Sequence, residues 1–305
     1  MISFDAIGFG ALNVDKLFKV HRIANAEEES FITDCIEASG GSAANTIVGL
    51  ARLKCKVGFI GKVSSDREGK MLLEDLKREN VDTNGIVYVK HGRSGAVMGF
   101  VDEKGERALY IDSGVNDTLS FDEVGVDYAC RTGFLHLTSF VGDKPFQAQK
   151  KLLTYLPEKV KVSFDPGMCY ARMGYAKLQP LIEKSFVVMP NLSELALITG
   201  KTDYREGATF LLQKGVAIVA VKLGAKGCYV TDGRESHLIE PFEVKVVDTT
   251  GAGDAFCAGF LYGLINNKGL FESGRIGNFV ASRCIMKMGA RAGLPILADL
   301  EKEGL

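Results

Sequence analysis

The run Asp248-Thr249-Thr250-Gly251-Ala252-Gly253-Asp254 sets small residues between two carboxylates. An apolar stretch at 244–247 precedes it and an apolar-rich segment at 255–265 follows. A strand is therefore expected to end in a small-residue turn that opens a helix. Small side chains leave backbone N–H groups uncovered, and the positive end of the helix dipole adds to them, so such a turn binds phosphate or a developing anion. Two acids in the same turn would repel a phosphate unless they work on a proton or a metal. The combination reads as phosphoryl transfer. Asp254 faces the incoming hydroxyl as base, and the N–H groups of Gly251, Ala252 and Gly253 cradle the transferred group. Thr250 adds a hydroxyl and Asp248 organises a cation. A plain strand–helix turn capped by an aspartate explains one acid, but not small residues flanked by two.

Other groups could serve that centre. In Ser39-Gly40-Gly41-Ser42-Ala43-Ala44-Asn45 a glycine pair precedes a helix, where a ligand can approach the backbone or the chain can simply turn tightly. Asn45, about one turn in, could offer a donor and an acceptor to a sugar hydroxyl. Asn13 and Asp15 fall on one face of a strand, and an amide beside a carboxylate suits vicinal hydroxyls as well as a solvated surface. Asn191-Leu192-Ser193-Glu194 follows a strand at 186–189. It reads either as a capping box or as an acid at a strand's carboxyl end able to hold magnesium through water. Lys222-Leu223-Gly224-Ala225-Lys226-Gly227 joins two strands. Its glycines could line a nucleotide, with Lys222 near phosphates, or merely form a hairpin. Gly8-Phe9-Gly10 lacks the third glycine of a dinucleotide fingerprint, Asn13 standing in its place, so a dehydrogenase rests on that pair alone. Asn278, Met288-Gly289-Ala290-Arg291, His136 and His237 carry no signal by themselves.

These residues must be held by elements. Strand-like segments at 6–9, 57–63, 133–137, 160–164, 186–189 and 217–222 alternate with helical ones at 42–53, 68–78, 146–156, 192–199 and 207–214. Such alternation predicts an α/β domain, a doubly wound, mostly parallel sheet with flanking helices and ligands beyond the carboxyl ends of its strands. Two regions break the rhythm. Residues 14–20 alternate and 31–36 could extend them, while 96–111 read as a hairpin around Asp102-Glu103-Lys104-Gly105. A small antiparallel sheet, about 13–36 and 96–111, is expected to lie over one end of a single domain, 1–305, as a lid.

Composition fits an ordinary globular protein, with 46% apolar and 25% charged residues. The net charge of -1 supplies no overall field for nucleic acid or a membrane surface, so neither is an expected partner. The opening residues read as a first strand and not as a leader, and no apolar run is long enough to span a bilayer. The seven cysteines are scattered without a Cys-x-x-Cys pair, as expected of reduced thiols in a cytoplasmic protein with no zinc site.

Taken together the motifs resemble the ribokinase, or PfkB, family of carbohydrate kinases along nearly the whole chain. The Gly-Gly-x-x-x-Asn signature is matched by Gly40, Gly41 and Asn45, Asn-x-x-Glu by Asn191 and Glu194, and Asp-Thr-x-Gly-Ala-Gly-Asp by residues 248–254. The resemblance implies a ribokinase-like fold with a β-sheet lid and an ATP- and Mg²⁺-dependent transfer to a primary hydroxyl. The acceptor would be a small sugar such as ribose or fructose, or alternatively a nucleoside. It implies Asp254 as base and Gly251, Ala252 and Gly253 as anion hole. Asn13, Asp15, Gly40, Gly41 and Asn45 would hold the sugar, and Lys222, Gly224, Gly227, Thr250 and Asn278 the nucleotide. Asn191, Glu194 and Asp248 would act at the metal. Several members bind a monovalent cation, and Asp248, Thr250 and the loop around Gly289 and Gly293 match that region loosely, which makes K⁺ an expectation. Asp165-Pro166-Gly167 departs from the Asp-Pro-Asn-x-Arg pattern of 2-keto-3-deoxygluconate kinases. Arg107, in the lid, is expected to face solvent. Lid sheets pair across a two-fold axis where an edge is exposed, so a homodimer is expected. A non-catalytic sugar binder on the same fold would need no base.

Overall fold

A computed structural model describes residues 2–103 and 106–305. The expected turn at Lys104-Gly105 and the side chain of Arg107 lie outside what it describes. Among the described residues the strands form two sheets. The larger contains β1 (Phe4–Phe9), β4 (Val57–Ser64), β5 (Asp82–Val89), β8 (Thr132–Thr138), β9 (Lys161–Asp165), β10 (Ser185–Val188), β11 (Ile218–Lys222), β12 (Cys228–Thr231) and β13 (Ser236–Ile239). The smaller contains β2 (Asn13–Val20), β3 (Ile32–Gly40), β6 (Gly95–Val101) and β7 (Arg107–Asp112).

The larger sheet runs in the order β13-β12-β11-β10-β9-β8-β1-β4-β5. It is parallel from β5 to β11 and antiparallel at β11–β12 and β12–β13. The chain builds outward from β1 through β4 and β5, then returns to the other side of β1 with β8. That reversal opens a crevice at the carboxyl ends of β1 and β8, where such sheets bind ligands. Apolar residues alternate along β1, with Ala6 in the core on one face and Ile7 and Phe9 in the core on the other. On Ala6's face lie α1 (Ser42–Arg52), α2 (Arg67–Arg78), α9 (Ala252–Ile265), α10 (Leu270–Cys284) and α11 (Leu297–Lys302). The opposite face carries α3 (Val126–Ala129), α4 (Asp143–Leu153), α5 (Gly167–Ala171), α6 (Gly174–Ile182), α7 (Leu192–Thr199) and α8 (Tyr204–Gln213). This is the doubly wound arrangement the alternation predicts.

Two expectations are corrected, and the dinucleotide reading of Gly8 and Gly10 gains no support. The smaller sheet, ordered β3-β2-β6-β7, is mixed and not antiparallel: β2 and β6 run parallel. The chain leaves β3 to build α1, β4, α2 and β5, then re-enters the small sheet from the main one, so β6 starts at the same end as β2. Residues 244–247 form no strand. The main sheet ends at β13, and 240–247 run as extended chain outside it. Gly8 and Gly10 are packing glycines and not part of a nucleotide turn. A Cβ on Gly8 would enter Ile47 and Phe59, and one on Gly10 would enter Ala43 and Thr138, so their absence lets α1 lie close on β1.

Candidate active site

Two helix N-termini converge on Asp254. Gly251 caps α9 in the left-handed region, φ 76°, where glycine pays no steric cost. A Cβ there would also meet Ala290. Gly41, φ 100°, caps α1, and a Cβ on it would strike the backbone at Ala11. The glycine pair Gly40-Gly41 thus lets α1 start against the β1–β2 connection, and a Cβ on Gly40 would collide with the Asp15 carboxylate. The helices then touch at Gly49, whose missing side chain leaves room for Ala258. As a result Ser42 Oγ donates to Asp254 Oδ1 at 2.5 Å and Asn45 Nδ2 to Oδ2 at 2.8 Å. Thr46 Oγ1 donates to the Asp254 backbone oxygen at 3.1 Å.

Asp254 and Ser42 lie where two cavities approach each other. The larger, about 640 Å³, is bounded by Ser42, Asp165, Asn191, Glu194, Lys222, Gly224, Gly227, Ala252, Gly253, Asp254 and Asn278, with Phe242, Val244 and Val246 of the extended segment as an apolar wall. The smaller, about 160 Å³, lies at the carboxyl ends of β1 and β8 against the small sheet. It is bounded by Asn13, Ser42, Asn116, Asp117, Ser139, Cys169 and the apolar Val97, Ile111 and Phe140. Ser42 borders both.

The charges at the junction oppose one another. Burial, with Asp165 nearby, pushes the Asp254 carboxyl up to about 6, against the Ser42 and Asn45 hydrogen bonds and the Lys222 charge. Burial also raises Asp15 to about 6, with Arg291 opposing and Asp254 adding to the rise. Lys222 Nζ donates to Asp165 Oδ2 at 2.8 Å. Burial works against its charge, but Asp165, Cys257 and Glu194 outweigh that and keep its pKa above the ordinary lysine value. Burial and Asp165 raise Glu194. His136, buried and pushed down to about 4, shares a 3.0 Å hydrogen bond with Ser163 behind the site.

The sequence-predicted residues divide among distinct places. Ala252, Gly253, Asp254, Lys222, Gly224, Gly227, Asn191, Glu194 and Asn278 do meet at the larger cavity. Asn278 holds its wall: Nδ2 donates to the backbone oxygens of Ile239 and Glu240, fixing the start of the extended segment. Asn13 borders the smaller cavity, its Oδ1 accepting from Asn116 Nδ2 at 3.1 Å. Asn45 is not among the residues bordering the smaller cavity; its carboxamide donates to Asp254 and accepts from Arg291. Thr250 is displaced from the cavity by Thr249, its hydroxyl turned to Asp248 Oδ1 at 2.7 Å. Asp248 accepts as well from Thr250 N and Gly289 N, so it ties the turn to the Gly289 loop and does not border the cavity with Asn191 and Glu194. Asn191 and Glu194 form the full capping box of α7.

Among the described residues, no group of three or more His, Cys, Asp or Glu forms a metal cage. The donors nevertheless suit a magnesium ion that keeps most of its water. Glu194 and Asp165 present carboxylates to one cavity, and Asp165 Oδ1 is buried without a partner. Asp165, Ser42, Asn116 and Arg291 were not singled out for this site from the sequence. An acid ending β9 is the signal that marks Asp165. The other three are revealed by distant partners.

The sequence profile of the pfkB family carbohydrate kinases matches residues 8–297. The chain belongs to the PfkB family of carbohydrate kinases. An uncharacterised sugar kinase of Archaeoglobus fulgidus is 46% identical over 255 residues, covering 83% of this chain and 100% of that protein. An ATP-dependent ribose-1-phosphate kinase of Halopiger xanaduensis is 34% identical over 83% of this chain and 82% of its own. The crystal structure of a Thermotoga maritima ribokinase superposes with TM-score 0.88 at 23% identity, covering 98% of both chains, and shares the PfkB fold.

Proposed function

We propose that this PfkB kinase transfers the γ-phosphoryl group of ATP to a primary hydroxyl of a small, uncharged sugar. One observation carries the reading: a half-buried carboxylate, Asp254, stands at a helix N-terminus beside a nucleotide-sized cavity, hydrogen-bonded to Ser42, which also borders a second, smaller cavity. The nucleotide lies in the larger cavity, its base against Phe242, Val244 and Val246. The acceptor lies in the smaller one, with Asn13 and Asp15 on its hydroxyls. Asp254 takes the hydroxyl proton as the acceptor oxygen bonds to the γ-phosphorus. The bond to the β–γ bridging oxygen breaks, and ADP leaves. The N–H groups at the start of α9 and the Lys222 ammonium stabilise charge on the transferred group. A bound Mg²⁺ would neutralise phosphate charge, held through water by Glu194 and Asp165. A K⁺ beside Asp248 and the Gly289 loop belongs to the same proposal, and turnover should then rise in K⁺ over tetramethylammonium buffer.

The acceptor class follows from charge. No lysine or arginine is among the described residues bordering the smaller cavity, while Asp117 borders it and Asp15 and Asp254 stand nearby. That field disfavours a sugar phosphate or a sugar acid. The small sheet serves as lid, excluding water during transfer. Across it Ile36, Leu17, Gly99 and Leu109 share one row, and Leu109 is 61% exposed. A second copy of the chain is the proposed cover for that row.

A panel of ribose, fructose, nucleosides and ribose 1-phosphate, assayed with ATP, tests the acceptor. Turnover of neutral sugars is expected, turnover of nucleosides alone favours the alternative, and turnover of ribose 1-phosphate alone refutes the charge argument. Asp254→Asn should lower kcat by roughly 10²–10⁴ while ATP still binds; an unchanged kcat removes Asp254 from the role of base.

A further inference from the structure

Arg291 follows the last glycine-rich turn and carries no motif of its own, yet it is only 9% exposed and pays the burial of a guanidinium. Its donors reach three elements. Nε donates to Asn45 Oδ1 at 2.8 Å on α1, Nη2 to the Gly40 backbone oxygen at 3.2 Å at the end of β3, and Nη1 pairs with Asp75 Oδ2 at 2.5 Å on α2. Arg52 secures the backbone at Arg291 and just after it, donating to the oxygens of Arg291 and Leu294 while it pairs with Glu79.

The chemistry of these groups admits one arrangement. A guanidinium only donates and an ionised carboxylate only accepts. Asn45 lies between Arg291 and Asp254, so its oxygen must face the former and its NH₂ the latter. We propose that Arg291 is a positioning residue for the phosphoryl-transfer centre. It locks the Asn45 carboxamide so that Asn45 donates to Asp254, and it pins the Gly40 turn over which Asp15 lies. This rests on the reading of Asp254 as base. The titratable groups facing Asp254 are Asp15 on β2, Asp165 on β9, Lys222 on β11, Glu194 on α7, and the neutral thiols Cys257 on α9 and Cys284 on α10. Asp75, Asp15 and Glu79 face Arg291.

Arg291→Gln should lower kcat by roughly 10–100-fold with the KM for ATP within about two-fold of the parent, since only the acceptor side is disturbed. The acid limb of the pH–rate profile should move upward, because Asp254 loses a hydrogen bond that favours its charge. Arg291→Lys should recover part of kcat. In an Asn45→Ala background Arg291→Gln should cost little more, on the order of two-fold, because the two act through one contact. An NMR titration of the Asp254 carboxylate needs no substrate, so it reads the lock even if the kinase reading fails. An Arg291→Gln protein that melts like the parent with unchanged kcat and Asp254 titration overturns the proposal, and so does a full additional loss in the Asn45→Ala background. If Arg291→Gln does not fold, Asp75→Asn decides: a smaller effect in the same direction supports the lock, and none refutes it.

Discussion

Asp254 has to carry charge where burial discourages it. A carboxyl at about 6 is half protonated one pH unit below neutrality, close to the operating range where a base is most effective. The base works only when ionised, so activity falls as pH drops through that value. The kcat/KM profile is therefore expected to show an acid limb near pH 6. A limb near the ordinary aspartate value of about 4 would mean that Asp254 is not the group being read. Asp15, also near 6 and coupled to Asp254, shares that limb, so the profile reports the pair.

At the scale of elements, the anion turn depends on Gly251. Its left-handed φ of 76° and the closeness of Ala290 leave no room for a side chain. Gly251→Ala should cost about 1–3 kcal/mol, seen as a lower Tm, with kcat falling because the first N–H groups of α9 shift; an unchanged Tm and kcat would contradict this account of the turn. Much of this scale was readable beforehand. The apolar spacing of α1, α2 and α7 and the strands from β8 to β11 came within a few residues of their places, since each buries one face against the sheet. What escaped was set by distant neighbours. The segment of β5 opens Asp82-Thr83-Asn84-Gly85, turn chemistry, but becomes a strand by pairing with β4 at the sheet edge. Residues 244–247 have the composition of a strand and no strand to pair with among the described residues. Nothing local to Asn45 announces that Arg291, far along the chain, holds its carboxamide oxygen. Motif spacing located Asp254 and Glu194, and the acid ending β9 marks Asp165, whereas Arg291 depends on contacts that no local pattern encodes.

At the scale of the molecule, the exposed row on the small sheet places Leu109 and Ile36 beside Leu17 and, two residues along toward the acceptor cavity, Val97 and Ile111. Cover by a second copy would stabilise the acceptor wall and the sheet together. Leu109→Glu should give a monomer by light scattering and raise the acceptor KM several-fold; a parent chain that is already monomeric at assay concentration defeats the proposal. No helix among the described residues is long and apolar enough to cross a membrane. The contacts that make the centre span the chain: Ser42 and Asp254 are 212 residues apart, Asn45 and Arg291 246. Synthesis at ~5–20 residues per second separates the latter pair by about 12–50 s. Until Asp254 and α9 are made, the newborn chain carries the Gly40 turn and α1 with neither base nor lock, and the apolar face that α9 will cover stays open to chaperones. The centre cannot assemble until residue 291 has been made.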